Sequence, residues 1–361
     1  MADPTEPGSS ITSNQTNCYL GHRSSVPVFI LIYSLVFLVG LVFNIFTMWF
    51  HCCQARQHLS NSWRMYLKNL TASDLLLCLS LPFRITKYSS CSFNVHLLFC
   101  SFGASALYLN MYASILFMGY IAAYRYMRIF YPLRTHFLMS TRATHIISKT
   151  TWVFLLVLMT VYTILMLITY KRLDSAPKTC SDLSSQQTKL FYYFVQVCAV
   201  IIFLSVLVSL VFFYCSTSRR VLEAQKNQPT SCDSRKLVKS RRNILVLVSV
   251  FCICFVPYHL VHLPYVFLRE HRVAWLHGLK DTSVFMSVLN ICLDPLLYVF
   301  LCKDFRARLN LKQMFSTNNN TNTSNTEERL NESADRQQQQ LTAGSLLNKE
   351  AADPCGQERQ E

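Results

Sequence analysis

Seven apolar stretches, near residues 26–50, 64–88, 97–128, 145–169, 189–215, 238–268 and 280–301, leave this chain few ways to fold. Each is long enough to cross a hydrocarbon layer of about 30 Å as a helix rising about 1.5 Å per residue, tilt included. With 52% hydrophobic and 15% charged residues, the chain has too little charge to cover the surface of a soluble protein of 361 residues. The expectation is an all-α membrane protein. A seven-transmembrane helix bundle spans 26–301, after an extracellular N-terminus over 1–25. A short amphipathic membrane-surface helix follows over 302–315, where basic and apolar residues alternate, and then a disordered cytoplasmic tail over 316–361, rich in Asn, Gln, Ser, Thr and Glu.

Charge sets the orientation. The net charge is +15, and the basic residues gather in alternate loops. Arg219, Arg220, Lys226, Arg235, Arg241 and Arg242 fall between the fifth and sixth runs, Arg128, Arg134 and Arg142 after the third, and Lys303, Arg306 and Arg308 after the seventh. These loops are therefore cytoplasmic, the N-terminus is outside and the C-terminus inside, as suits a multi-pass protein of the plasma membrane. No zinc-finger spacing or basic–aromatic interleave accompanies the charge, so nucleic acid is not an expected partner. Membrane lipids are. No charged-then-apolar signal peptide is seen at the N-terminus, so the first span is expected to direct insertion. The external triplet beginning at Asn14 is a glycosylation acceptor, whereas those at Asn319, Asn322 and Asn331 are cytosolic.

Of the fifteen cysteines, Cys78, Cys198, Cys252, Cys254 and Cys292 lie inside apolar runs, where a thiol behaves as a small hydrophobe. Cys18, Cys91, Cys100 and Cys180 fall outside the membrane. The third run carries Cys100 near one end and Arg125 near the other, roughly 37 Å apart along a helix, so a cysteine and an arginine mark opposite membrane faces.

Polar side chains at membrane depth are expensive and point to function. Asp74 and Asp294 are the carboxylates, and Asn44, Asn110, Ser114 and Asn290 accompany them. Asn110 and Ser114, like Asn290 and Asp294, are one helical turn apart and share a face. Clustered, Asp74, Asn110, Ser114, Asn290 and Asp294 would hold a small hydrated cation, sodium being the candidate, or else form a network that only fixes helix packing. Pro82, Pro257 and Pro295 each remove a helical hydrogen bond and should kink spans two, six and seven. Helical spacing also aligns Phe255, His259 and His262 on the sixth span, Lys280, Val284 and Ser287 on the seventh, and Tyr108 and Tyr112 on the third. With Tyr258 beside them and Arg84 and Lys87 at the outer end of the second span, these suit a small ligand with an anionic head. Snorkelling of Arg84, Lys87 and Lys280 to lipid headgroups is the competing reading. No inverted repeat points to a transporter, and neither His-Glu-x-x-His nor Gly-x-Ser-x-Gly occurs, so an enzyme is not expected.

Asn44, Asp74 in LTASDLLL, Cys100, Arg125 in AYRYMRIFYPL, Trp152, FCICFVPYH around Pro257 and DPLLY over 294–298 together resemble a rhodopsin-like (class A) G-protein-coupled receptor over roughly residues 25–315. LPFRI, YLNMYASILF, CFVPYH and LDPLLY are similar to the branch of nucleotide (purinoceptor-like) and lysophospholipid receptors. The resemblance implies a Cys100–Cys180 disulfide. It also implies contact of Arg125 and Tyr298 with a heterotrimeric G protein of the inhibitory class, arrestin binding to a phosphorylated tail, and a switch through Tyr124, Phe255, Pro257 and Pro295. The chain departs from the family in four places. Tyr124 stands where an acidic residue usually precedes the arginine, which removes a resting restraint. Spans four and five lack their usual prolines. His262, mostly neutral at pH 7, stands where a nucleotide receptor usually has a cation. The external loop before the seventh span has no cysteine, so Cys18–Cys91 is a candidate replacement bridge. The expected function is a receptor for a small extracellular anion, lysophospholipid or nucleotide-like. The alternative is an atypical heptahelical receptor that scavenges ligand or recruits arrestin without coupling to a G protein.

Overall fold

The computed structural model describes residues 26–55, 62–89, 93–131, 140–170, 186–227, 232–267 and 274–301. Asn14, Cys18, Cys91, Cys180, the amphipathic helix over 302–315 and the tail over 316–361 lie outside the described residues.

Almost every described residue is helical. In chain order the helices are α1 (Val26–Ala55), α2 (Ser62–Ser89), α3 (Phe93–Leu98), α4 (Ala104–Phe130), α5 (Thr141–Tyr170), α6 (Gln186–Asn227), α7 (Cys232–Phe267), α8 (Ala274–Val288) and α9 (Asn290–Leu301). One π-helical turn at Phe99–Gly103 joins α3 to α4, and together the turn and α4 make the third span. Helices α8 and α9, parted only by Leu289, make the seventh. All seven expected runs are therefore helical. Six of these stretches among the described residues are apolar enough to cross a membrane by composition alone. The exception is α2, whose Arg64, Lys68, Asp74, Arg84 and Lys87 lower its mean hydropathy.

Up to Tyr214 and again over Ile244–Leu297 the chain makes one compact unit; Cys215–Asn243 and the residues from Tyr298 onward make a second. In the first unit the third span is central, with 72% of its apolar window buried against 17% for α1, α5 and α6. Those outer helices expose Leu31, Leu35, Val42, Val153, Val197 and Val208, an arrangement that suits lipid and would be costly in water. In the second unit Thr217, Val221 and Tyr298 are buried, and the Arg220–Glu223 pair at 3.7 Å is exposed on both sides, where an ion pair contributes little.

Three polar ties hold the first unit's helices in register. Pro295 has no N–H to give, so the carbonyl of Ile291, four residues earlier, loses its helical donor. Asn44 Nδ2 supplies the replacement, donating to Ile291 O and to Gly40 O, both at 2.9 Å. Pro295 itself lies inside α9; the break in the seventh span is a turn at Leu289, six residues earlier, whose carbonyl accepts from both Cys292 N at 3.0 Å and Leu293 N at 3.1 Å. Pro82 and Pro257 lie inside continuous helices. Across spans two and four, Trp152 Nε1 donates to Asn69 Oδ1 at 2.9 Å while Asn69 Nδ2 donates to Ser148 Oγ at 3.2 Å. The π turn is anchored as well: Ser101 O accepts from Thr163 Oγ1 of the fourth span at 3.1 Å.

Close approach of the first and seventh spans also needs a small residue. A Cβ on Gly40 would lie 2.5 Å from Ile291 Cγ2, inside a fully buried contact. Gly40→Ala should therefore destabilise the receptor by about 1–3 kcal/mol, the usual cost of overpacking, read as a lower thermal midpoint in detergent.

Candidate functional site

At mid-membrane, the second, third and seventh spans meet through a chain of amides and carboxyls. Asn110 Nδ2 donates to Asp74 Oδ1 at 2.9 Å. Asn290 Nδ2 donates to Asn110 Oδ1 at 3.1 Å and to Ser114 Oγ at 3.2 Å. All five expected residues are buried, and Asp294 is near enough to Asp74 for their carboxyls to interact directly. Asp74 Oδ2, Asn290 Oδ1 and both Asp294 carboxyl oxygens receive no protein donor. Two adjoining buried carboxyls cannot both carry a bare negative charge; a cation or a shared proton must lie between them. Four acceptor oxygens left open around two carboxyls fit a hard cation such as sodium.

The aligned aromatics and histidines of the third and sixth spans form a hydrogen-bonded layer. His259 Nδ1 lies 2.8 Å from Phe255 O, and because a carbonyl only accepts, this nitrogen carries the proton. Nε2 is then the acceptor for the Tyr112 hydroxyl at 3.3 Å. The ring stacks on Phe203 of the fifth span at 3.8 Å. The hydroxyls of Tyr108 and Tyr192 both reach His262 Nε2, at 3.3 and 3.2 Å, and Gln196 Nε2 donates to the Tyr108 hydroxyl at 3.4 Å. Tyr258, fully buried, stacks on His262 at 4.9 Å. His262 Nδ1 is buried with no protein partner. Beside this layer lies a small cleft of about 70 Å³, lined by Tyr108, Tyr112, Leu155, Met159, Tyr162 and Tyr192 among others.

Arg84 and Lys87 lie against aromatic rings. Arg84 Cζ lies 5.1 Å from the centre of the Tyr33 ring and 5.6 Å from that of Phe99, and Lys87 Nζ lies 4.3 Å from the Phe99 ring. Both rings are buried and lie within cation–π reach of these charges. Lys280 is close enough to Lys87 and His262 to act on both electrostatically, and Asp281 does the same to Arg84 and Lys87. Tyr192, Gln196, Phe203, Tyr33 and Phe99 were not expected from the sequence. Of these only Gln196, a lone amide in an apolar run, carries a signal there.

At the other end of the third span, Tyr124 is buried and Arg125 Cζ lies 5.4 Å from the centre of the Trp63 ring of α2. Arg64 Cζ is 5.8 Å from the same ring. Tyr298 is fully buried within the second compact unit. Phe255 is buried too, edge-on to Phe251 at 5.5 Å. Cys100 is buried and disulfide-bonded.

Comparison with known proteins agrees with this arrangement. Residues 43–298 match the family described as 7 transmembrane receptor (rhodopsin family), and the chain belongs to it. Purinoceptor 13 of Homo sapiens is 28% identical over 291 residues, 78% of this chain and 80% of its own length. G-protein coupled receptor 87 of Mus musculus is 38% identical over 122 residues, 32% of this chain and 34% of its own. G-protein coupled receptor 171 of Bos taurus is 26% identical over 307 residues, 83% and 93%. The chain is thus a multi-pass membrane receptor of the rhodopsin family, a family of receptors and not of enzymes, and it is similar to proteins named as purinoceptors.

Asn110 is the centre of the mid-membrane chain, because it gives to Asp74 and accepts from Asn290. Asn110→Leu removes both bonds while keeping bulk. It should lower stability by about 1–3 kcal/mol, the cost of stranding buried polar partners, measured as the thermal midpoint of the purified receptor.

Proposed function

We propose that this receptor responds to a small extracellular anion bearing a phosphate or comparable head, nucleotide or lysophospholipid. Ligand binding shifts the bundle to a state that engages a heterotrimeric G protein of the inhibitory class. In this reading the protein sits in the plasma membrane with its N-terminus outside, as the alternation of basic loops supports. The observation that carries the reading is the cationic group. Arg84, Lys87 and Lys280 bring three positive charges against the negative charge of Asp281, over buried rings. A site of surplus positive charge away from bulk water takes an anion. His262 Nδ1 beneath it is a buried polar atom open to a ligand group. Tyr108, Tyr112, Tyr258 and His259 form the layer through which binding is transmitted. Arg125 and Tyr298 serve as coupling residues, as the family resemblance implies, and Tyr124, Phe255, Pro257 and Pro295 belong to the moving parts. Cys180 is the proposed partner of Cys100, and Asn14 the proposed glycosylation site.

Relatives named as purinoceptors favour a nucleotide, whereas neutral His262 in place of a cation favours a lysophospholipid. A panel of nucleoside diphosphates, nucleoside triphosphates and lysophospholipids, read by cyclic AMP and G-protein dissociation, separates the two. One class should signal, and Arg84→Ala and Lys280→Ala should each weaken its potency by roughly 10- to 100-fold, as expected for losing a charge-assisted contact. Equal potency in both variants would remove the anion site. Tyr124 gives weight to a second reading, a receptor that recruits arrestin without coupling. Arrestin recruitment by the same ligand with no G-protein response would establish it.

Asp74, Asn110, Ser114, Asn290 and Asp294 are the proposed sodium site, where the ion would neutralise the adjoining carboxyls and favour the resting arrangement. Replacing N-methylglucamine chloride with sodium chloride at constant ionic strength should raise the thermal midpoint of the receptor. Asp294→Asn should abolish that increment, and an increment surviving in the variant would count against the site.

A further inference from the structure

Tyr124 stands directly before Arg125, where a carboxylate would provide an ion pair. Yet the Arg125 side chain is not simply left to solvent: its Cζ lies 5.4 Å from the centre of the Trp63 ring, inside the range of a cation–π contact. Trp63 is the second residue of α2, so the contact joins the same ends of the second and third spans. Indole has the strongest ring quadrupole among the side chains, and both partners are half-buried, which limits solvent screening. Arg64 Cζ at 5.8 Å from the same ring adds a second cation, so the ring is a shared platform for two guanidiniums.

We propose that Trp63 is the positioning residue that holds Arg125 in the resting receptor, its ring face replacing the missing neighbouring carboxylate. The inference rests on the reading of Arg125 as the residue that meets the G protein. Arg125 cannot lie on the Trp63 ring and extend into a bound G protein at once, so the two states compete for one side chain. Loss of the ring then shifts the population towards the coupling state without any ligand. The hold differs in kind from an ion pair: it depends on the aromatic face, so a smaller ring should retain part of it and an aliphatic residue of similar bulk none.

The test uses purified full-length receptor in lipid nanodiscs, without ligand, and nucleotide exchange on a panel of purified G-protein heterotrimers. Trp63→Leu should exchange roughly three- to tenfold faster than wild type, and Trp63→Phe should fall between them, a spread set by the strength of a partly buried cation–π contact. Adding Tyr124→Asp to Trp63→Leu should bring the rate back down, since the new carboxylate takes over the hold. A Trp63→Leu rate at or below wild type, including both at the no-receptor background, overturns the proposal. So does Trp63→Phe behaving like Trp63→Leu, which would mean that ring bulk and not ring face matters. If Trp63→Leu does not fold, Trp63→Phe alone decides, a rate above wild type supporting the hold and an unchanged rate overturning it. Trp63→Leu combined with Arg125→Ala separates the two claims. Background exchange supports both. A rate that stays raised shows that coupling does not run through Arg125, and so fails the underlying reading first.

Discussion

The bond chain from Asp74 through Asn110 to Asn290 and Ser114 decides the arrangement of this bundle. Among lipid chains as apolar as leucine, helices gain little by burying apolar surface against one another. What distinguishes one packing from another is close fit and the satisfaction of polar groups that cannot reach water. Asn110 is the pivot, because its amide gives at one end and its carbonyl accepts at the other, so spans two, three and seven each lose a partner if they slide or rotate. The first span joins through Asn44, which answers a carbonyl that Pro295 leaves without a donor. A proline that weakens one helix has thereby become a tie between two. Gly40 permits that tie, since only a residue without a side chain lets α1 approach Ile291 closely enough.

Much of this was legible in the sequence, for reasons of cost. A span needs about twenty apolar residues, so seven runs of that length could be located without any knowledge of contacts. Asp74, Asn110, Ser114, Asn290 and Asp294 stood out because each is expensive in lipid, and expense implies partners; the structure brings them together. Residues that are cheap in lipid gave no such signal. Tyr192, Phe203, Tyr33, Phe99 and Trp63 read as ordinary apolar positions, and their roles depend on helix rotation, which periodicity does not supply. The π turn at Phe99–Gly103 and the turn at Leu289 were equally hidden, because the sequence does not show that Thr163 of another span meets the Ser101 carbonyl or that the Leu289 carbonyl accepts twice. Gly40 looked like any small residue in an apolar run until Ile291 was placed beside it.

The layer of tyrosines and histidines is built from the third, fifth and sixth spans, and the sixth also carries Pro257. His259 is where that arrangement becomes mechanical. Its Nδ1–H is committed to Phe255 O, its Nε2 accepts from Tyr112 of the third span, and its ring lies flat on Phe203 of the fifth. Three spans are therefore referred to one imidazole, two residues beyond the proline that leaves span six with a missing backbone bond. His262, one turn further out, is shared by Tyr108 and Tyr192 and retains an unpartnered nitrogen. A group that bonds His262 Nδ1 acts on the ring that holds those two hydroxyls, and Tyr108 is stacked at 6.4 Å on Tyr112, which bonds His259. A disturbance at His262 thus has a contiguous set of contacts, through Tyr108, Tyr112 and His259, leading to the weakest point of the sixth span. Packed cores respond to such disturbances by moving between discrete arrangements, and the proline bond gap marks where the sixth helix can bend with the least loss of hydrogen bonding.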